Sequence, residues 1–171
     1  MSDIKNLATP GDELVEAVRS AIEFRATWMG LIFDEMRKAG VDAEGITRKA
    51  IRRCGREIHG VRAKNTVEGR PLDGQDLEKF SFNPLMQRVF EMKPVTSDKD
   101  NANAYLNYCP LVAAWQKMGF DDETIALLCD ITMDGDRGVG DTNGFKLHLG
   151  SAIGNGCEKC NIHFYRGELK E

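Results

Sequence analysis

No stretch of 18 or more consecutive apolar residues occurs in this chain of 171 residues, so nothing in it suits a membrane-crossing helix. Basic residues are not in excess. With 23 Lys and Arg against 27 Asp and Glu the net charge is -4, which disfavours a dedicated nucleic-acid binder. The opening Met1-Ser2-Asp3-Ile4-Lys5-Asn6 lacks the basic start and apolar block of a secretory signal. Five cysteines, an odd number, in a chain without such a signal argue for reduced thiols rather than a disulfide frame, and so for a cytoplasmic compartment. There is no internal repeat, no low-complexity segment and no linker-like change of composition. One domain spanning 1–171 is therefore expected, long enough to bury a core.

What is present reads as helices followed by strands. Thr9 as cap, Pro10 in the first turn and the acids after it predict a helix start. Leu14, Val18, Ile22, Met29, Ile32, Phe33 and Met36 continue it at three- and four-residue steps, with Arg25 interrupting the stripe and Gly40 ending it. Asp42 can cap a second helix, with Ile46, Ala50, Cys54 and Ile58 as its apolar stripe and Gly60 closing it. Asp76 to Phe80 suits a short helix. Val89 to Val95 and Ala102 to Tyr108 suit two strands around a polar turn. Pro110 opens another helix that Gly119 stops, and Asp121 caps one that Gly135, Gly138, Gly140 and Gly144 are expected to break. Phe145, Leu147 and Leu149, then Cys160, Ile162 and Phe164, alternate with polar residues as a closing strand pair. The sum is α+β: an N-terminal helical hairpin, then a mostly antiparallel sheet of about four strands with two intervening helices.

Four groups of residues could carry chemistry. Cys109 falls where a strand runs into a helix, beside free N–H groups and the positive end of a helix dipole, an arrangement that lowers a thiol pKa. The alternative, an inert buried thiol, stands beside that reading. Asp130 and Asp134 share a helix face within an acidic run that includes Asp136 and Asp141, so one carboxylate could raise the pKa of the other and suit a general base. The run lacks the ligands of a calcium loop, since Gly138 and Phe145 fall where oxygen donors are required. Arg52 and Arg56 share a face of the basic second helix and could clamp a carboxylate. His148 and His163 are expected to be neighbours on one side of the closing hairpin, and a histidine near Cys109 would complete a nucleophile–base pair. The one CxxC, Cys157 to Cys160, is insufficient by itself for a zinc site; it would need two more ligands from Cys109, His148 or His163 to converge on it.

The segment Cys109-Pro110-Leu111-Val112-Ala113-Ala114-Trp115, then Gly119, Leu128-Cys129-Asp130 and Gly156 through Cys160 to Phe164, resembles the L-2-amino-thiazoline-4-carboxylic acid hydrolase family. Ala50 to Arg56 is similar to that family's N-terminal half, and the closing Gly-x-x-x-Cys pattern is similar to 4-vinyl-reductase-like ligand-binding domains. Cys157, Ile162 and the segment Ile131 to Arg137 depart from the family pattern. The resemblance implies a hydrolase that opens a thiazoline ring to N-carbamoyl-cysteine without an organic cofactor. Cys109 or a water activated by Asp130 or Asp134 would attack, His148 would act as acid, and Arg52 or Arg56 would hold the carboxylate. The expected partner is a small-molecule substrate, with no nucleic acid and no membrane. Whether the helical hairpin packs on its own sheet or in a homo-oligomer is left open. The rival readings are a non-catalytic small-molecule-binding module and a metal-binding one using Cys109, Cys157, Cys160 and His163.

Overall fold

The computed structural model describes residues 2–169; Met1, Lys170 and Glu171, within the bounds 1–171 expected for one domain, lie outside the described residues. Helix α1 spans Glu13–Lys38 and begins later than Thr9. Asp12 is the cap, its carboxylate accepting the Val15 N–H at 3.1 Å, while Thr9 is held by Glu91 instead. Gly40, at φ 71°, turns the chain, and Asp42 caps α2 (Ala43–Cys54) by accepting the Gly45 N–H at 2.8 Å.

The second helix does not close at Gly60. A π-helical stretch, Gly55–His59, carries it straight into α3 (Gly60–Lys64). Its apolar stripe also faces the unexpected way, since Ile46 and Ile58 are exposed. The buried side is made of Ala43, Thr47, Gly55, Gly60 and Ala63. Two short helices follow, α4 (Gly74–Ser81) and α5 (Pro84–Val89). The second takes Val89, the first residue of the expected Val89 to Val95 strand, because Asn83 caps it and Pro84 sits at its first turn.

Strands β1 (Met92–Ser97) and β2 (Asn101–Leu106) form a hairpin, α6 spans Pro110–Lys117 and α7 spans Asp122–Asn143. Strands β3 (Lys146–Ser151) and β4 (Cys160–Tyr165) close the chain. All pairings are antiparallel in the order β1-β2-β4-β3, so the protein is α+β. Ala102, Ala104, Leu106, Cys160, Ile162 and Phe164 point inward. Asn103 and Asn161 join across the outer face (2.6 Å), where His163 also meets Asn101 (3.0 Å).

Glycine does not break α7. It runs unbroken past Gly135, Gly138 and Gly140 and ends at Gly144, at φ 72°. A Cβ on Gly138 would lie 2.5 Å from the Arg52 carbonyl oxygen, and one on Gly55 would lie 2.0 Å from the Gly135 carbonyl oxygen. These glycines let two helix backbones touch. Trp115, fully buried, docks α6 on α1 by donating its indole N–H to the Ala26 carbonyl at 3.0 Å.

The contact separates two glycines of one helix. Gly138→Ala meets backbone that cannot yield and is expected to cost about 2–3 kcal/mol. A Cβ on Gly135 finds only Ile51 Cγ2 at 3.6 Å, so Gly135→Ala is expected to be neutral or to gain up to about 1 kcal/mol from helix propensity. Urea denaturation of the two variants beside the wild type checks the difference.

Candidate functional site

The space between α1, the α2–α3 helix, α4, α5, α7 and the inner face of the sheet is a cavity of about 1220 Å³. Its lining is mainly apolar, with Met29, Met86, Met92 and Met133 and the rings of Phe80, Phe82 and Phe90. Cys54, Cys109, Cys129 and Cys160 contribute thiols, and Arg25, His59, Arg62, Asp136 and the Arg70–Asp76 ion pair contribute charge or protons.

Cys109 does cap α6. Its N–H donates to Asn6 Oδ1 and its carbonyl accepts from Asn6 Nδ2, both at 2.9 Å. The expected activation is reversed. Burial pushes the thiol up to about 12, with Cys129 adding to the rise, and the N–H groups of Val112 and Leu111 offset only part of it. Cys129 is also pushed up, first by its hydrogen bond with Cys160 and then by burial. Cys160 Sγ accepts the Ile153 N–H at 3.2 Å. Cys109 and Cys129 are thus protonated at neutral pH.

Asp130 and Asp134 share a face, as their spacing requires, but that face is turned to α2 and not to the cavity. Arg48 bridges both carboxylates, at 2.7 Å to Asp130 and 3.0 Å to Asp134. Arg137 does the same at 2.6 and 3.2 Å, while Arg52 reaches Asp134 at 3.2 Å and clasps Asp141 at 2.7 and 2.9 Å. Burial would raise Asp130, but hydrogen bonds from Arg137 and Arg48 outweigh it and hold the carboxyl below its usual range. For Asp130 the raising expected from its neighbour is thereby corrected, because the guanidinium groups of Arg137 and Arg48 pair with it. Arg52 is spent on these acids rather than on a ligand. Arg56 is exposed, 3.6 Å from Glu57, and lines a shallow groove outside α2 with Arg52.

His148 and His163 are cross-strand partners on one face, as expected. That face is the outer one, whereas Cys160 and Ile162, which precede His163 on β4 and point the other way, line the cavity. The sheet therefore stands between His148 and Cys109, and the nucleophile–base pair is not formed. Cys157 is exposed in the turn before β4 and His163 faces outward, so Cys109, Cys157, Cys160 and His163 do not converge. Among the described residues no group of three or more His, Cys, Asp or Glu side chains could hold a metal ion.

Besides Cys109 and Cys160, the cavity gathers Asp136, Arg25, His59 and Arg62, to which sequence reasoning assigned no individual role. Asp136 lies on the α7 face that carries Cys129, Thr132, Met133 and Val139, and all five line the cavity. Burial raises its carboxyl to about 6, with the charges of Arg25 and Arg137 offsetting part of the effect. His59, placed by the π-helical stretch, is held below its usual value by burial and then by Arg62 and Arg25. A carboxylate in step with an apolar stripe was the available signal for Asp136. Nothing local marks Arg25, His59 or Arg62, since their meeting depends on helix packing.

The fold and cavity together define an α+β protein built around a thiol-bearing cavity with two perturbed carboxylates, Asp136 raised by burial and Asp76 lowered to about 2 by its hydrogen bonds from Arg70. The chain belongs to the L-2-amino-thiazoline-4-carboxylic acid hydrolase family, whose profile matches residues 19–164. No curated protein and no solved structure matches the chain. Among the described residues no helix is long and apolar enough to cross a membrane.

Two outcomes follow from the protonation states. Iodoacetamide at pH 8 should modify exposed Cys157 while leaving Cys109 intact, which peptide mass spectrometry reads directly. Asp136 stays protonated in the folded chain over a range where the unfolded chain has already ionised, so its contribution to stability declines as pH rises from about 4 to about 6. Asp136→Asn should therefore be more stable than wild type at pH 8, with the gap closing below pH 4 in urea melts.

Proposed function

We propose that the chain hydrolyses a cyclic carbon–nitrogen or carbon–sulfur bond in a small carboxylate of the thiazoline type, and that Asp136 is the general base. The observation that carries this is a carboxyl brought to about 6 inside a largely apolar cavity, close to the pH at which a base is most effective. Water held by Asp136 adds to the ring carbon between sulfur and nitrogen, and its proton passes to the carboxylate. Collapse of the tetrahedral carbon breaks the carbon–sulfur bond, the added hydroxyl becoming the urea carbonyl as its proton goes to the former imine nitrogen of the ring. The protonated Asp136 then returns the proton to the departing sulfur, leaving a urea and a free thiol. Arg25 and Arg62, on the cavity wall, are the cations assigned to the substrate carboxylate. Cys109 is not assigned the attack, because with a pKa of about 12 only about one thiol in 10⁵ is ionised at pH 7.

A binding module without turnover is the second reading. It is favoured by the size of the chamber, about 1220 Å³, against the roughly 300–1,000 Å³ of pockets that take drug-sized ligands. A ring bearing only an amine and a carboxylate would leave most of it unfilled.

Thiol release from L-2-amino-thiazoline-4-carboxylate tests both readings. Turnover is expected to fall about 10²–10⁴-fold in Asp136→Asn, to persist in Cys109→Ser, and to lose its acid limb with a midpoint near pH 6. Turnover that survives Asp136→Asn and disappears in Cys109→Ser would return the attack to the thiol. Saturable binding without thiol release would establish the second reading.

A further inference from the structure

The solvent face of α1 carries apolar residues that the fold does not use. Leu14, Ala17, Ala21, Phe24, Trp28 and Leu31 follow one another at steps of three, four, three, four and three residues. That is the seam spacing of a two-stranded coiled coil. The opposite side of the helix, Val15, Arg19, Ile22, Ala26, Gly30 and Phe33, is the one buried in the protein. The seam is in solvent: Leu14 is 55% exposed, Phe24 62%, Trp28 59% and Leu31 52%, with Ile32 on its flank at 57%. Phe24 and Trp28 stand one turn apart in edge contact, ring centroids 5.4 Å apart. Seam spacing exposed over about 27 Å of helix is not an isolated surface residue.

We infer that this face binds a second copy of the chain, with the two α1 helices antiparallel about a two-fold axis passing between Ile22 and Glu23. In that register Leu14 of each copy faces Leu31 of the other, Ala17 faces Trp28, and Ala21 faces Phe24. Each large ring meets an alanine, so the surface is complementary in size to itself and to no arbitrary helix. Such a contact is isologous and closes at two copies. The five exposed large side chains carry on the order of 500 Å² per copy. The two copies together thus offer roughly 1,000 Å² before the alanines and side-chain stems are counted, close to the range of stable interfaces. Ser20 faces Thr27 along one edge. Asp34 and Glu13 meet at the ends, where Lys38 already pairs with Asp34 at 2.7 Å. Arg25 lies beside the seam on the other edge and also lines the cavity, so the second copy sits next to the chamber wall.

Sedimentation equilibrium on the full chain tests this. A dimer is expected at about 10 µM, with Trp28→Glu monomeric and unchanged in circular dichroism. Ala21→Phe opposes ring to ring and should raise the dimer dissociation constant at least about tenfold, while Ala21→Phe with Phe24→Ala exchanges the partners of each layer and should restore it. A wild-type monomer at about 100 µM, a dimer indifferent to Trp28→Glu, or a double variant as weak as Ala21→Phe would overturn the inference.

Discussion

Backbone contact between α7 and the helix formed by α2, the π-helical stretch and α3 is the constraint on which the rest of the site depends. Gly55 and Gly138 leave no room for a Cβ, so the two helices meet main chain to main chain. At that separation Arg48 and Arg52 reach Asp130, Asp134 and Asp141 with direct ion pairs, and Thr142 donates to the Arg56 carbonyl at 2.8 Å. The same contact turns the remaining surface of α7 toward the sheet. Glycine within a helix costs about 1 kcal/mol per residue relative to alanine, and close packing with a satisfied ion network offsets that cost here.

Two carboxylates six residues apart on α7 then have opposite fates. Asp130 stands between guanidinium groups and is held low, whereas Asp136 faces the chamber and is raised to about 6. Their sequence surroundings are both acidic. What separates them is the helix face each occupies, and with it the presence of a paired arginine or of apolar walls. The thiols obey the same rule, since the dipole and N–H groups at the start of α6 act on Cys109 but burial outweighs them.

Features set by neighbours a few residues away were legible in the sequence. The Asp42 and Asp121 caps, the Pro110 helix start, the inward alternation of Cys160, Ile162 and Phe164, and the pairing of His148 with His163 all follow from local pattern. The glycines of α7 read as breakers because their role is to admit another helix, which no local window shows. Ile46 and Ile58 form the more apolar stripe of their helix, yet the small residues Ala43, Thr47 and Gly55 are what the close contact selects. Of the candidate catalytic and clamp residues only Cys109 lies at the cavity. Asp136 belongs to the acidic run, but its place on the cavity face of α7 follows only once that helix is known to continue through Gly135.

The docking of α6 on α1 has an optical consequence. The chain holds two tryptophans, and they occupy opposite surroundings. Trp115 is sealed in the core with its indole N–H bound to the Ala26 carbonyl, while Trp28 stands in solvent on the far side of the same helix. One fluorophore therefore reports the integrity of the interior and the other the state of the surface, each with its own emission colour. Replacing either one isolates the other, so the protein contains a matched internal and external probe without an added dye.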